Sequence, residues 1–408
     1  VNWVFPPCVA LLGPELEPWH CRELIVEDGK IARVTKMKPA PVLDSGALVV
    51  IPSLCNAHTH MGDSCLPDGA TGMTLEEGFF RPKGYKYRQL KERGRSILPD
   101  VIAHLAYMAQ SGTTAHIDFR EMGIEGTRIL RTASASTGVD SVILGQFAEL
   151  PFSDAELTAD QASLPESAKI ELAALLAEAD GFSESTMNDL TSAAWREIRE
   201  VTSKEGKLRA IHCLENEGYR NVSLERTGQG DLIRALELYN PHLVIHLTVA
   251  EAEEIALLVD HGTTGVLNPR ANANLGLPLP PIRDLLEAGV NLLLGTDNGL
   301  LNSPNMLAEL DFTYKLAKSQ YGNATAPDPL EILKMATVNA GKVLGDRFPG
   351  YLAEGLPANL CMLDFRVPHL RHTRHLPASI VTRATPAEVL LTLREGNALS
   401  RAKDCPLP

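Results

Sequence analysis

The sequence has no apolar run of about 18 residues, the least a helix needs to cross a bilayer, so no membrane span is expected. It has no excess of positive charge: 38 lysines and arginines face 51 aspartates and glutamates, a formal net charge of -13. An acidic surface repels phosphate backbones, which excludes a non-specific grip on nucleic acid. The seven cysteines form no Cys-x-x-Cys pair. An odd, scattered set argues against a disulfide framework and for reduced thiols in a cytoplasmic protein. The first residues, VNWVFPPCVALLGPELEPWHC, lack the positive start and long apolar stretch of a secretory signal. Internal repeats and low-complexity segments are also missing, which excludes a solenoid.

What is present is an ordinary globular composition, 44% hydrophobic and 22% charged over 408 residues. That length suits a barrel of about 250–300 residues plus a smaller module. A core of this size needs no disulfide staples. From residue 48 onward, short apolar runs alternate with helical patterns. LVVIPSLCNAH (48–58), TTAHIDF (113–119), DSVILGQ (140–146), ADGFSES (179–185), LRAIHC (208–213), HLVIHL (242–247), TTGVLN (263–268) and VNLLLGTD (290–297) read as strands. Helical stretches at 98–110, 187–203, 229–239, 249–260 and 281–288 fall between them, and two more follow at 304–319 and 329–344. Eight alternations predict an α/β fold, a (β/α)8 barrel of the TIM type over 48–349. Residues 1–47 and 350–408 have β character, with a hairpin signal at Asp28-Gly29, and are expected to pair into one small β domain. Residues 62–97 look long and irregular, the form of a lid or an active-site wall.

His58 and His60 stand where the first barrel strand runs out, and side chains i and i+2 share a face. Alone, the pair could be two satisfied polar residues at a loop start. His212, however, ends the fifth strand, His246 the sixth and Asp297 the eighth. All five fall on the face where barrel enzymes build their sites. Buried imidazoles need partners, and a cluster of them suits a metal ion. Glu215, three residues after His212, can turn back over the same mouth. By itself it also reads as a first-turn carboxylate favoured by a helix N-terminus. His116, Asp118 and Arg120 alternate on the second strand; internal hydrogen bonding suits the first two. Asp63, Ser64 and Arg81 are lid candidates. Cys55, Cys65 and Cys213 read as small buried residues, and HLRHTRH (369–375) reads as a solvated loop rather than a second metal site.

The segments PSLCNAHTHMGDS, IHCLENEG, VIHL, NPRANANLGL and LLLGTDN, in that order, resemble the metal-dependent amidohydrolase superfamily. The resemblance covers nearly the whole chain. It is nearest to the aminohydrolase branch: cytosine, guanine, adenosine-type and triazine deaminases and chlorohydrolases. LAEGLPANLCMLDF resembles that family's strand returning to its small β domain, with Asn359 in place of the usual acidic residue.

The resemblance implies that His58, His60, His212 and Asp297 bind one divalent metal, and that His246 bonds the water or the substrate. Two-metal members bridge their ions with a modified lysine at the end of strand four. This sequence has no lysine between 170 and 203, so one ion is expected. Zinc and iron both fit imidazole-plus-carboxylate ligation, and the ligand chemistry leans to zinc. Glu215 falls in a His-x-x-Glu similar to the branch's proton shuttle, with Asp297 taking the proton of water. Arg120, with Glu121, and Gln146 could meet the substrate at the ends of strands two and three. Arg270, Asn272 and Asn274 either line the pocket or cap a solvated loop. The implied reaction is hydrolytic deamination of a purine, pyrimidine, pterin or triazine-type heterocycle with release of ammonia. Its rivals are hydrolysis of a cyclic amide, imidazolone or halogenated ring at the same metal, and, of another class, an inactive barrel serving as a scaffold. A homodimer is in keeping with the family.

Overall fold

A computed structural model describes residues 2–407. Eight segments pair in parallel, each with the next. They are Leu54–His60 (β1), Thr113–Arg120 (β2), Asp140–Gly145 (β3), Gly181–Phe182 (β4), Leu208–Cys213 (β5), Leu243–His246 (β6), Thr264–Leu267 (β7) and Leu292–Leu294 (β8). After β8 the chain breaks at Gly295-Thr296 and resumes as Asp297–Asn298, which pairs in parallel with Thr59 and His60 of β1. The last strand thus returns to the first, and the sheet closes as the expected barrel. The strands read as continuous apolar runs because both faces are covered. Ile117, Phe119, Val142, Ile245, Val266 and Leu293 are among the residues filling the interior. A second core, including Trp195, Leu175 and Leu310, lies between strands and outer helices.

Several boundaries differ from the sequence reading. The run 48–58 is two strands. Leu48–Pro52 pairs with Leu360–Asp364 and Cys8–Leu12 in the terminal sheet, and only beyond Ser53 does the chain enter the barrel. Residues 48–52, expected in the barrel, therefore belong to the other sheet. β4 is two residues long, where a Cβ on Gly181 would clash with the Leu208 carbonyl oxygen. The helix expected from 187 begins at Ser192, because Thr191 caps it by accepting from the Ala194 N–H. The stretch 329–344 breaks into Pro329–Met335 and Val338–Leu344; at the break the Thr337 hydroxyl donates back to the Leu333 carbonyl. Residues 62–97 are more regular than expected and hold helices Leu75–Phe79 and Tyr85–Arg93.

The terminal sheet takes strands from both chain ends, in the order Trp3–Phe5, Glu17–Glu27, Cys8–Leu12, Leu48–Pro52, Leu360–Asp364, Val389–Arg394, Asn397–Arg401. Lys30–Pro39 forms a hairpin with Glu17–Glu27 through Asp28-Gly29, both at positive φ as a two-residue turn of the primed type requires. The end region is not wholly β: Leu376–Arg383 is a helix. No helix among the described residues is long and apolar enough to cross a membrane.

All seven cysteines are free. Cys8 and Cys21 face each other across antiparallel strands, and burial, with Cys21 nearby, pushes the Cys8 thiol up to about 12. Thiolates rather than thiols attack sulfur, so this pair resists bridging. Alkylation after denaturation without reductant is expected to label seven thiols per chain; fewer would mean that a bridge forms.

Candidate metal centre

The strand ends turn sharply. Leu214, His246, Leu247 and Asp297 all adopt positive φ, a conformation that costs a non-glycine residue on the order of 1–3 kcal/mol. The surrounding barrel sustains it, and the turns aim His246 and Asp297 inward. Gly295 makes the close approach of β8 to β1 possible: a Cβ there would stand 2.5 Å from His58 Cβ and 2.6 Å from Asn268 Oδ1.

Five buried side chains meet there. His58 Nε2 lies 3.1 Å and His60 Nε2 3.6 Å from Asp297 Oδ1. Ligand atoms of His58, His60 and Asp297 lie within 4.8 Å of one another, and so do those of His58, His212 and His246. Tetrahedral donors about 2.0–2.2 Å from a shared zinc lie roughly 3.3–3.6 Å apart, the scale of the His58–Asp297 and His60–Asp297 separations, and His58 is common to both groups. Two rings are already oriented from behind. The His60 Nδ1–H donates toward the Phe119 carbonyl at 3.0 Å and Glu121 Oε1 at 2.7 Å, and the His212 Nδ1–H donates to the Glu184 carbonyl at 3.1 Å. Such bonds fix the tautomer and leave Nε2 free as a metal ligand.

Electrostatics support the same donor set. Burial drives His58 down to about 3 against the pull of Asp297. Burial, reinforced by the His58, His246 and His60 rings, holds His212 well below the usual range. Neutral imidazole is the form that binds metal. Burial opposes ionisation of Asp297, but the His58 bond outweighs it and holds the carboxylate below its ordinary range. A buried anion among buried lone pairs fits a divalent cation.

Glu215 stands beside this group, 3.7 Å from His246 Nε2 and 7% exposed. Burial raises its carboxyl above the ordinary value. Behind His246, Asn268 satisfies the Leu267 and Gly295 carbonyls when its amide is oriented to donate to them, and its oxygen then accepts from the His246 Nδ1–H at 3.3 Å. His246 Nε2 is thereby left facing Glu215.

A cavity of about 40 Å³ opens over the cluster. His60, His212, His246, Asp297 and Glu215 line it, with Asn298, Ser185, Tyr219 and Leu275. The segment 62–97 adds Leu75, Phe79, Lys86 and Tyr87, so it is a wall of this cavity. Polar bonds hold that segment down: Arg81 pairs with Glu184 and donates to the Phe147 carbonyl at 2.8 Å, Tyr87 Oη lies 2.8 Å from Ser185 Oγ, and Lys86 Nζ lies 2.5 Å from Glu121 Oε1.

The four expected substrate contacts lie elsewhere. Arg120 is fully buried and pairs with Glu121 and Asp118, its guanidinium packed where a Cβ on Gly62 would sit. Gln146 turns its amide to Glu184 and Ser185. Arg270 lies against Glu309, and Asn272 packs behind His246 at 3.2 Å from Nδ1. None lines the cavity. His116 and Asp118 do make internal bonds: the His116 ring lies between Thr59 and Ser141, and Asp118 accepts from Thr59 and the Met61 N–H. Lys86, Tyr87 and Tyr219 were not foreseen. Their only signal is an aromatic-flanked lysine in PKGYKY and a tyrosine soon after Glu215.

Known proteins resemble this chain along most of its length. The model described as "Amidohydrolase family" matches residues 49–399. A Methanothermobacter thermautotrophicus protein, provisionally named an aminohydrolase, is 34% identical over 395 residues, covering 96% of this chain and 97% of its own. The 5'-deoxyadenosine deaminase of Methanosarcina acetivorans is 26% identical, covering 96% of this chain and 90% of its own. Among solved structures, a zinc-bound adenosine deaminase from Xanthomonas campestris is similar, with a TM-score of 0.80 over 97% of this chain and 92% of its own. At 20% identity that likeness is one of fold.

Proposed function

The chain belongs to the amidohydrolase family, and on that premise we propose that it is a metal-dependent aminohydrolase that deaminates a small nitrogen heterocycle. The observation that carries the reading is the convergence of buried His58, His60, His212, His246 and Asp297 at four strand ends, with Glu215 beside them. The deaminases among its relatives support the reaction class. A cytoplasmic setting is part of the same proposal and rests on the seven scattered cysteines, which form no Cys-x-x-Cys pair.

His58, His60, His212 and Asp297 would hold one ion, zinc by the chemistry of three imidazoles and a carboxylate. Such an ion, when bound, supplies the Lewis acidity that makes water a nucleophile near neutral pH. The remaining steps belong to the chain's own groups. Asp297 accepts the proton that the attacking water gives up. Glu215, its carboxyl raised by burial, delivers a proton to the ring nitrogen, which makes the neighbouring carbon electrophilic. His246 Nε2, 3.7 Å from Glu215, steadies the oxygen forming on that carbon, where a preorganised polar group is most effective. The proton held on Asp297 passes to the amine, the new hydroxyl returns a proton to Glu215, and the carbon–nitrogen bond breaks to release ammonia.

Elemental analysis of the purified protein is expected to find about one divalent ion per chain. Two per chain, or none in active protein, would overturn the single-ion centre. In parallel, an ammonia-release screen of aminated purines, pyrimidines, pterins and triazines is expected to give turnover. Hydrolysis of cyclic amides or chlorinated rings with no ammonia from any amine would replace deamination as the reaction.

A further inference from the structure

Lys86 is the one cationic side chain other than histidine lining the cavity among the described residues. It lies on the helix Tyr85–Arg93 and is 2% exposed. Its Nζ stands 2.5 Å from Glu121 Oε1 and 3.6 Å from Asp63 Oδ2. Asp63 is itself fixed, accepting from Asn298 Nδ2 at 2.5 Å and from the Leu300 N–H at 3.1 Å. Burial opposes the ammonium, but Glu121 and Asp63 outweigh it and hold the charge.

This lysine is an expensive way to build a wall. A buried ion pair can commonly be replaced by packed apolar side chains at no loss of stability. Glu121 already has a cationic partner in Arg120. An ammonium has three N–H donors, and one close bond to Glu121 leaves capacity toward the cavity. Around that space the carboxyls of Glu215 and Asp297 serve ionic and proton-transfer roles, and Phe79, Tyr87 and Tyr219 offer faces and edges to a flat ring.

We propose that Lys86 is a specificity-determining residue that donates a charge-assisted hydrogen bond to an oxo group of the bound ring, so that the substrate is an amino-oxo heterocycle. The inference rests on the deaminase reading of the site and deepens it. A carbonyl oxygen carries the partial negative charge such a donor prefers. The group would be read as the ring binds, before the chemical step, so its loss appears chiefly in KM.

The test uses the metal-loaded full chain and pairs that differ only by the oxo group: cytosine against 4-aminopyrimidine, guanine against 2-aminopurine, and pterin against 2-aminopteridine, with adenosine as an amine lacking any oxo group. Ammonia release is followed for the wild type, Lys86→Met and Lys86→Arg. The wild type is expected to favour the oxo member of an accepted pair by roughly 10–100-fold in kcat/KM, the scale of one hydrogen bond to a charged group. Lys86→Met should lose that preference mainly through KM, and Lys86→Arg should restore part of it. The proposal is overturned by a wild type that favours adenosine or the oxo-free members, or by Lys86→Met retaining the preference. Release of ammonia from no aminated ring would instead overturn the deaminase reading beneath it.

Discussion

Glu215→Gln is expected to keep its metal and lose roughly 10²–10⁴-fold in kcat, the scale of a positioned acid–base group. Glutamine matches the shape of glutamate but cannot carry the proton to a ring nitrogen. The metal should stay, because His58, His60, His212 and Asp297 are untouched. Stability sharpens the test. Burial raises the Glu215 carboxyl, so ionisation costs folding free energy once the pH passes its ordinary value. A neutral side chain removes that cost, and Tm measured near neutral pH should hold or rise. A structural glutamate would give the opposite pattern, lower Tm with modest rate loss. Near wild-type turnover on the true substrate would make the shuttle assignment wrong.

The second large effect is at His60. His60→Ala is expected to lose its metal on dialysis against a mild chelator and to lose turnover with it. Three remaining ligands bind far more weakly than four. The fold should survive, because Glu121 keeps Arg120 and Lys86 as partners once the ring is gone. Metal content by elemental analysis and the circular dichroism spectrum together decide the matter. A folded variant that keeps its full metal complement would remove His60 from the ligand set. His116 provides the control: it is equally buried, and burial drives it down to about 4, yet both its nitrogens are already engaged by Thr59 and Ser141. His116→Ala should retain metal whatever its effect on stability.

That contrast marks what could be read in advance. The barrel was legible because eight apolar runs recur with helical patterns between them, and buried parallel strands need apolar residues on both faces. The histidines were legible because strand ends in a barrel share one mouth. Arg120 misled for the same reason: it ends a strand, but its side chain folds back beneath Gly62 into a buried ion cluster. Arg270 and Asn272 misled because loop residues near a site can buttress it rather than face it. The contribution of Leu75, Phe79, Lys86 and Tyr87 was hidden because it depends on how an intervening segment folds over a distant sheet. The run ADGFSES (179–185) overstates β4, because only Gly181 and Phe182 carry its pairing.

Four bonds tie the segment over the histidines to the barrel: Arg81 to Glu184 and to the Phe147 carbonyl, Tyr87 to Ser185, and Lys86 to Glu121. These partners follow three different strands, β2, β3 and β4, so the wall is moored at three points rather than hinged at one. The outline of the pocket is therefore inherited from the barrel rather than chosen by the segment itself, and a change at one mooring leaves the other two to hold it.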